Sequence, residues 1–290
     1  MTKILVTGAN GQVGRELQLL ATQYPDFQFI FATREDLDIC DLEAIEDCFH
    51  QHLPDYCINC AAYTAVDKAE SDVEQAKLIN TLAVKYLAMN CHLQQVPLIH
   101  LSTDYVYHNQ QNTPFLEEDE TNPQSVYAST KLDGDLEALE NHDLAMVIRT
   151  SWVYSSFGNN FVKTMLRLGA ERPQLSVVFD QIGSPTYARD LANAVLMIIK
   201  KVENQEVAKE NLSGIFHYSN EGVTSWYDFA KAIFDIKEIP CKVYPIETVA
   251  FPTPAQRPPF SLMNKKKIKQ NFNIEIPYWR DSLKEMLAIL

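Results

Sequence analysis

Three of the chain's nine glycines fall within seven residues, at Gly8, Gly11 and Gly14. They separate a short β-branched apolar run, residues 3–7, from a helical stretch, residues 15–23. Few local patterns restrict a fold as much as this one. A strand that enters a glycine turn and leaves as a helix is the setting a dinucleotide site requires. Gly8 makes the turn, Gly11 lets backbone N–H groups approach a pyrophosphate, and Gly14 lets the helix pack on the strand. The turn Gly8-Ala9-Asn10-Gly11-Gln12-Val13-Gly14 is therefore the candidate cofactor cradle. It predicts an α/β chain whose first part is a Rossmann-type, doubly wound parallel sheet.

The alternation of strand and helix continues beyond the turn. Residues 27–32 read as a second strand, after which Thr33 and Arg34 stand where a sheet-end acid would otherwise take the adenosine ribose hydroxyls. A hydroxyl and a guanidinium suit a 2′-phosphate, so NADPH is expected, with Glu35, Asp36 and Asp38 near enough to leave NADH open. Asp41 and Leu42 open a helix running to about His50 and are further candidates on the cofactor side. A third strand, residues 55–60, ends in Ala61-Ala62-Tyr63-Thr64, where small residues leave room for a cofactor. One long helix is expected over residues 73–91. The next strand, 97–101, delivers Ser102, Thr103 and Asp104 to the carboxyl edge of the sheet, where ligands bind in open parallel sheets. The plainer reading of these three is a Ser/Thr or Asx turn.

Tyr127-Ala-Ser-Thr-Lys131 follows a long polar loop, residues 108–123. On a helix Tyr127 and Lys131 share a face, where an ammonium can lower a phenol's pKa and make it a proton donor or acceptor near neutrality. The pattern alone is weak, since Tyr227 and Lys231 repeat it within an ordinary amphipathic helix. What distinguishes the first copy is the strand-end Thr103 and the glycine turn that precede it. Past a strand at 144–149 the alternation loosens. Strands are expected at 176–179, 215–218 and 242–246, helices at 190–201 and 279–290, a charged linker at 202–212, and no regular element in the proline-rich residues 251–259.

A net charge of −13 argues against a nucleic-acid surface. The one basic run, Lys265-Lys266-Lys267, reads as a solvated face. No stretch approaches the ~20 apolar residues of a membrane span, and the amino terminus is too short in its apolar part for a signal peptide, which leaves a cytoplasmic location as the expectation. Cys57-Ile-Asn-Cys60 has redox-motif spacing but lies in a strand, where it reads as core packing. The histidines show no metal-ligand spacing.

Several segments taken together resemble the dTDP-4-dehydrorhamnose reductases. They are Gly8 to Gly14, Ala61-Ala-Tyr-Thr-Ala-Val-Asp-Lys-Ala-Glu70, Ser102-Thr-Asp-Tyr-Val106, Tyr127 to Lys131, Arg149-Thr-Ser-Trp-Val-Tyr154 and Arg257-Pro-Pro-Phe-Ser-Leu-Met-Asn264. The Gly-x-x-Gly-x-x-Gly spacing is itself typical of the extended short-chain dehydrogenase/reductase group to which those enzymes belong. The resemblance implies reduction of the C4 ketone of dTDP-4-dehydro-β-L-rhamnose by NAD(P)H, for cell-surface polysaccharide. It implies Thr103 on the ketone oxygen, Tyr127 as proton donor, and Lys131 on the nicotinamide ribose. Arg257 becomes the candidate for the substrate diphosphate, its alternative being a surface ion pair. Asp104, Trp152, Asn160 and Gln181 are the other candidate substrate contacts. Some relatives bridge subunits through Mg²⁺; Glu16 stands near the corresponding place but so does Arg189, and a metal is not expected. The chain is expected as a monomer or homodimer. The implied division is a cofactor domain of residues 1–151 and 183–210 and a smaller α/β substrate domain of residues 152–182 and 211–290. A nucleotide-sugar epimerase or dehydratase, and a non-catalytic cofactor-sensing subunit, remain as alternatives.

Overall fold

The computed structural model describes residues 1–290. The apolar runs form five strands within a residue or two of their expected places: β1 Thr2–Thr7, β2 Phe27–Ala32, β3 Tyr56–Asn59, β4 Leu98–Thr103 and β5 Ala145–Thr150. With Gly214–Tyr218 they make one six-stranded sheet, ordered Gly214–Tyr218, β5, β4, β3, β1, β2. Every neighbouring pair is parallel. Parallel strands need crossovers that cover both faces, which is why these strands are predominantly apolar rather than alternating. Successive side chains serve opposite cores: Ile4 and Val6 pack with the helices α1 Gln12–Leu20 and Ala188–Glu203, whereas Leu5 packs with the helices α2 Leu42–His52 and Ala83–Leu93. From β1 the chain steps outward to β2 and then back across to β3. The strand order therefore reverses at the carboxyl ends of β1 and β3, the place where such sheets bind ligands.

A third apolar cluster builds the smaller lobe from the helices Phe161–Glu171, Trp226–Ile236 and Trp279–Ala288, with the parallel pair Gln174–Val178 and Lys242–Ile246. Two stretches differ from the expected division, for Ile268, Phe272, Ile274 and Ile276 return to the main core and a strand before them does too. Gly214–Tyr218 lies on the main sheet, with His217 opposite Arg149 and Phe216 in the main core. It covers the edge that β5 would otherwise leave unpaired, and the chain passes to the smaller lobe only after Tyr218.

Three local expectations are corrected. The single helix over 73–91 is broken by a π-helical turn, Leu78–Leu82. The helix Phe161–Glu171 had no counterpart in the sequence reading. Lys265 is not part of a solvated face: it is 7% exposed, with Nζ 3.4 Å from the Glu221 carboxylate, while Lys267 lies 5.0 Å over the Phe216 ring. No helix is long and apolar enough to cross a membrane.

Candidate active site

The glycine turn sits at the switch point. Gly8 has a φ of +64°, and a Cβ there would stand 2.6 Å from the Ala61 backbone nitrogen, so the turn is pressed against the end of β3. Gly14 is equally constrained, since its Cβ would fall 2.6 Å from Gly8 O. Gly11 differs: it N-caps α1 with no side-chain bond, and a Cβ there would meet only Gly8 O, at 3.2 Å. The first-turn N–H groups and the positive end of α1 thus face an open cradle that fits a diphosphate. Asn10 is exposed at its tip, and Val13 is rooted in the main core. Gln12 Oε1 accepts from Asn160 Nδ2 at 2.9 Å, which ties the cradle to the smaller lobe.

The other cofactor candidates ring the same edge. Arg34, just beyond β2, is 75% exposed in its side chain and pairs only loosely with Asp38, at 4.0 Å, so its guanidinium is accessible to an added anion. Asp41 spends its carboxylate on the cap of α2, accepting from Glu43 N–H at 3.0 Å and Ala44 N–H at 3.3 Å, with Leu42 the first helical residue. The segment Ala62-Tyr63-Thr64 is pinned by Asn80, whose Oδ1 accepts from Tyr63 N–H at 2.8 Å and whose Nδ2 donates to Tyr63 O at 3.2 Å.

Thr103, Tyr127 and Lys131 converge beside this cradle. Thr103 ends β4, and its Oγ1 accepts from Tyr105 N–H at 3.2 Å. The helix Val126–Asn141 begins at Ser125, whose Oγ accepts from Ala128 N–H at 3.2 Å, and it carries Tyr127 in its first turn. The phenol lies beside the Thr103 side chain, and its ring meets Tyr105 edge-on with centroids 5.7 Å apart. Burial pushes the phenol up to about 12; the nearby Thr103 hydroxyl lowers it, while the Asp104 and Asp135 carboxylates raise it. Lys131 is 1% exposed. Its Nζ donates to Leu101 O at 2.8 Å and lies 3.1 Å from His100 Nε2. Burial lowers this lysine to about 8, against the pull of Asp135. The expected depression of the phenol by the ammonium is therefore not what the geometry gives: the lysine is turned toward β4, and the phenol stays protonated at neutral pH. The second copy of the motif is a surface feature, for Lys231 pairs with Asp235 at 3.8 Å and both are well exposed.

A cleft of about 800 Å³ in the smaller lobe holds Gln181 and Arg257 in its wall, with Phe161, Trp226 and Phe251. Arg257 makes a bidentate pair with Asp67, at 2.7 and 3.1 Å, and Gln181 Nε2 donates to Thr248 Oγ1 at 3.1 Å. Trp152 has a φ of +47° and stacks behind Trp226 at 3.7 Å, so the indole on the cleft wall is one the sequence reading passed over. Asn160 works as a cap rather than as a wall residue: Oδ1 accepts from Lys163 N–H at 3.1 Å while Nδ2 donates to Ser155 O at 2.7 Å. Asp104 is buried beside Thr103 and Ser261, which hold its pKa down, yet desolvation still carries it up to about 7. Glu16 is buried, bonded to Arg189 Nε at 2.9 Å and to Ser155 Oγ at 2.6 Å. Asp67 and His100 were also missed; Asp67 lay within the quoted segment Ala61 to Glu70, but nothing local marked it as the partner of Arg257.

A glycine turn at the switch point of a parallel sheet, with a Tyr–Lys pair and a strand-end threonine beside it, defines a nucleotide-dependent oxidoreductase of the short-chain dehydrogenase/reductase class. Comparison with known proteins narrows this. A family model described as the RmlD substrate binding domain matches residues 1–290. The dTDP-4-dehydrorhamnose reductase of Sinorhizobium fredii is 39% identical over 292 residues, 99% of this chain and 97% of that protein. Among solved structures, the dTDP-4-dehydrorhamnose reductase of Clostridium acetobutylicum superposes with a TM-score of 0.91 at 39% identity over 99% of both chains. The Bacillus anthracis enzyme, solved in complex with NADP, gives 0.92 at 35% over the whole of both. The chain belongs to the dTDP-4-dehydrorhamnose reductase family.

Proposed function

We propose that the protein reduces the C4 ketone of dTDP-4-dehydro-β-L-rhamnose to give dTDP-L-rhamnose for polysaccharide synthesis, with NADPH as reductant, as a cytoplasmic monomer or homodimer. The observation that carries the reading is the meeting of Thr103 and Tyr127 at the sheet edge beside the glycine cradle. The nicotinamide, when bound, supplies the hydride. Addition at C4 turns the ketone oxygen into an alkoxide, a far stronger base than a phenol. Tyr127, protonated at neutral pH, hands its proton to that oxygen as charge develops, and the Thr103 hydroxyl gives it a second hydrogen bond. Lys131 holds the nicotinamide ribose on the same helix face. Gly8, Asn10, Gly11, Gln12, Val13 and Gly14 cradle the diphosphate, and Arg34 takes the 2′-phosphate that distinguishes NADPH. Asp41, Leu42, Ala62, Tyr63 and Thr64 flank the adenosine and ribose. Gln181, Arg257 and the Trp226 wall, backed by Trp152, take the nucleotide sugar, with Asp104 near the reacting carbonyl and Asn160 holding the cleft floor in place. The main sheet is the cofactor domain and the smaller lobe the substrate domain.

The test is direct. Purified protein given dTDP-4-dehydrorhamnose and NADPH should consume the two in equal amounts and form dTDP-L-rhamnose. An epimerase or dehydratase would recycle its hydride with no net NADPH oxidation, and that result, or no turnover at all, would overturn the proposal.

A further inference from the structure

A file of buried polar groups runs beneath the cradle across three neighbouring strands and ends on Lys131. Thr7 in β1, Asn59 in β3 and His100 in β4 are all buried, as is the lysine. Asn59 Oδ1 accepts from Thr7 Oγ1 at 2.6 Å and from the Ala61 backbone N–H at 3.1 Å. A backbone N–H can only donate, so this second bond fixes which way the amide faces. Asn59 Nδ2 then donates to His100 Nδ1, 3.0 Å away. With Nδ1 accepting, neutral His100 carries its proton on Nε2. Burial and the nearby Lys131 charge both keep the ring neutral, holding its pKa well below the ordinary value. Nε2 stands 3.1 Å from Lys131 Nζ. An ammonium has three donors and no acceptor, whereas a neutral amine offers a lone pair to that N–H.

We propose that His100 is a positioning residue for Lys131: held by Asn59 as the Nε2–H tautomer, it donates to the Nζ lone pair once the amine is neutral, so that the lysine loses its proton more readily as pH rises and NADPH must restore it there. This rests on the reading of Lys131 as a cofactor-ribose residue. The other charged groups are Asp135, one turn along the same helix, which favours the ammonium and whose Oδ1 lies 4.0 Å from His100 Nε2, farther than Nζ, and Arg149 of β5, which is tied to Asp135 at 3.0 Å. Tyr127 shares the helix face. The tautomer therefore acts with burial and against Asp135. On that reading of Lys131 the ammonium is the form that meets the bound cofactor, so affinity should be fullest below the lysine's value of about 8 and fall as pH rises through it.

Two variants reverse the donor. In Asn59→Asp the new carboxylate accepts from His100 Nδ1–H, leaving Nε2 free to accept from the ammonium. In His100→Gln a side-chain oxygen takes the same place. NADPH titrations followed by fluorescence from neutral to alkaline pH should show the loss of affinity moved upward by about one pH unit or more in each variant. A loss that stays at its wild-type position in folded His100→Gln would overturn the proposal whatever Asn59→Asp shows, because the added carboxylate favours the ammonium by charge alone, whereas the glutamine changes only the donor. Nitrogen-15 spectra of the wild-type protein labelled at histidine bypass any folding failure. They should show a neutral, Nε2-protonated His100, assigned by its absence in His100→Gln or by its contact with the Lys131 side chain. A proton on Nδ1, or an imidazolium, would refute it. Both measurements read binding or tautomer rather than turnover, so they distinguish failure here from failure of the reductase reading.

Discussion

Tyr127, the proposed acid, is set by its surroundings more than by its motif partner. The four-residue spacing was legible and the helix is there, but the phenol's high pKa comes from burial and from Asp104 and Asp135, and none of these could be read from spacing. Tyr127→Phe keeps the ring and removes the proton, and kcat should fall about 10²- to 10⁴-fold with NADPH affinity little changed. Stopped-flow and steady-state rates with the same substrate check this. Asp104 yields a prediction about stability. Its carboxyl titrates near 7 in the fold against an ordinary value of 3.8, so between those values the folded chain holds a proton that the unfolded chain releases. Its destabilising effect is absent at acid pH and grows as pH rises through that window. Asp104→Asn should therefore raise unfolding free energy on the order of 2–4 kcal/mol at pH 8 and leave it nearly unchanged at pH 4, by urea melts, while slowing turnover. An equal change at both pH values would mean that the ionised carboxyl is not the source.

At the scale of elements, the π-turn Leu78–Leu82 joins the two halves of the site. Asn80 pins Ala62-Tyr63-Thr64 on one side and donates from Nδ2 to Thr130 Oγ1 at 3.2 Å on the other. The helix Val126–Asn141 meets it at Gly134, where a Cβ would come within 2.0 Å of Asn80 O. Helix propensity alone makes Gly134→Ala stabilising by about 1 kcal/mol. Overlap with a backbone carbonyl cannot be relieved by a rotamer, so a net loss of about 2–3 kcal/mol is expected, together with weaker NADPH binding. Thermal and urea melts decide the sign. The apolar periodicity of residues 73–91 did announce a helix. Its widened turn depends on Asn80 and Thr81 reaching Thr130 in another helix, as in the 2.9 Å bond from Thr81 Oγ1 to Thr130 O, and partners fifty residues away leave no local trace.

Across the whole molecule, the sheet was the legible part. Each parallel strand is a mostly apolar run whose hydrogen bonds stay with its neighbours, so Phe27 to Ala32 or Ala145 to Thr150 declare themselves without help. The smaller lobe was harder, because it is held by strands of two residues such as Ile182–Gly183 and Thr224–Ser225 and by side chains that meet only after folding. Arg257 shows both sides of this. The sequence marked it as the cation a diphosphate would need in a chain of net charge −13. The structure adds that Asp67, from the segment after β3, grips it and so links the two lobes. Arg257→Ala should raise KM for the nucleotide sugar about 10- to 100-fold while leaving KM for NADPH alone. Arg257→Lys should recover little, since a point charge cannot replace a two-pronged grip. Unchanged KM in both would remove Arg257 from the substrate's path.

The face-to-face indoles of Trp152 and Trp226 have a practical consequence. They are two of only three tryptophans in the chain, and at 3.7 Å their electronic transitions mix. The protein thus carries its own optical gauge at the cleft wall: occupancy should be readable as altered indole emission or circular dichroism without any label or turnover, and replacing Trp226 by Phe should silence it.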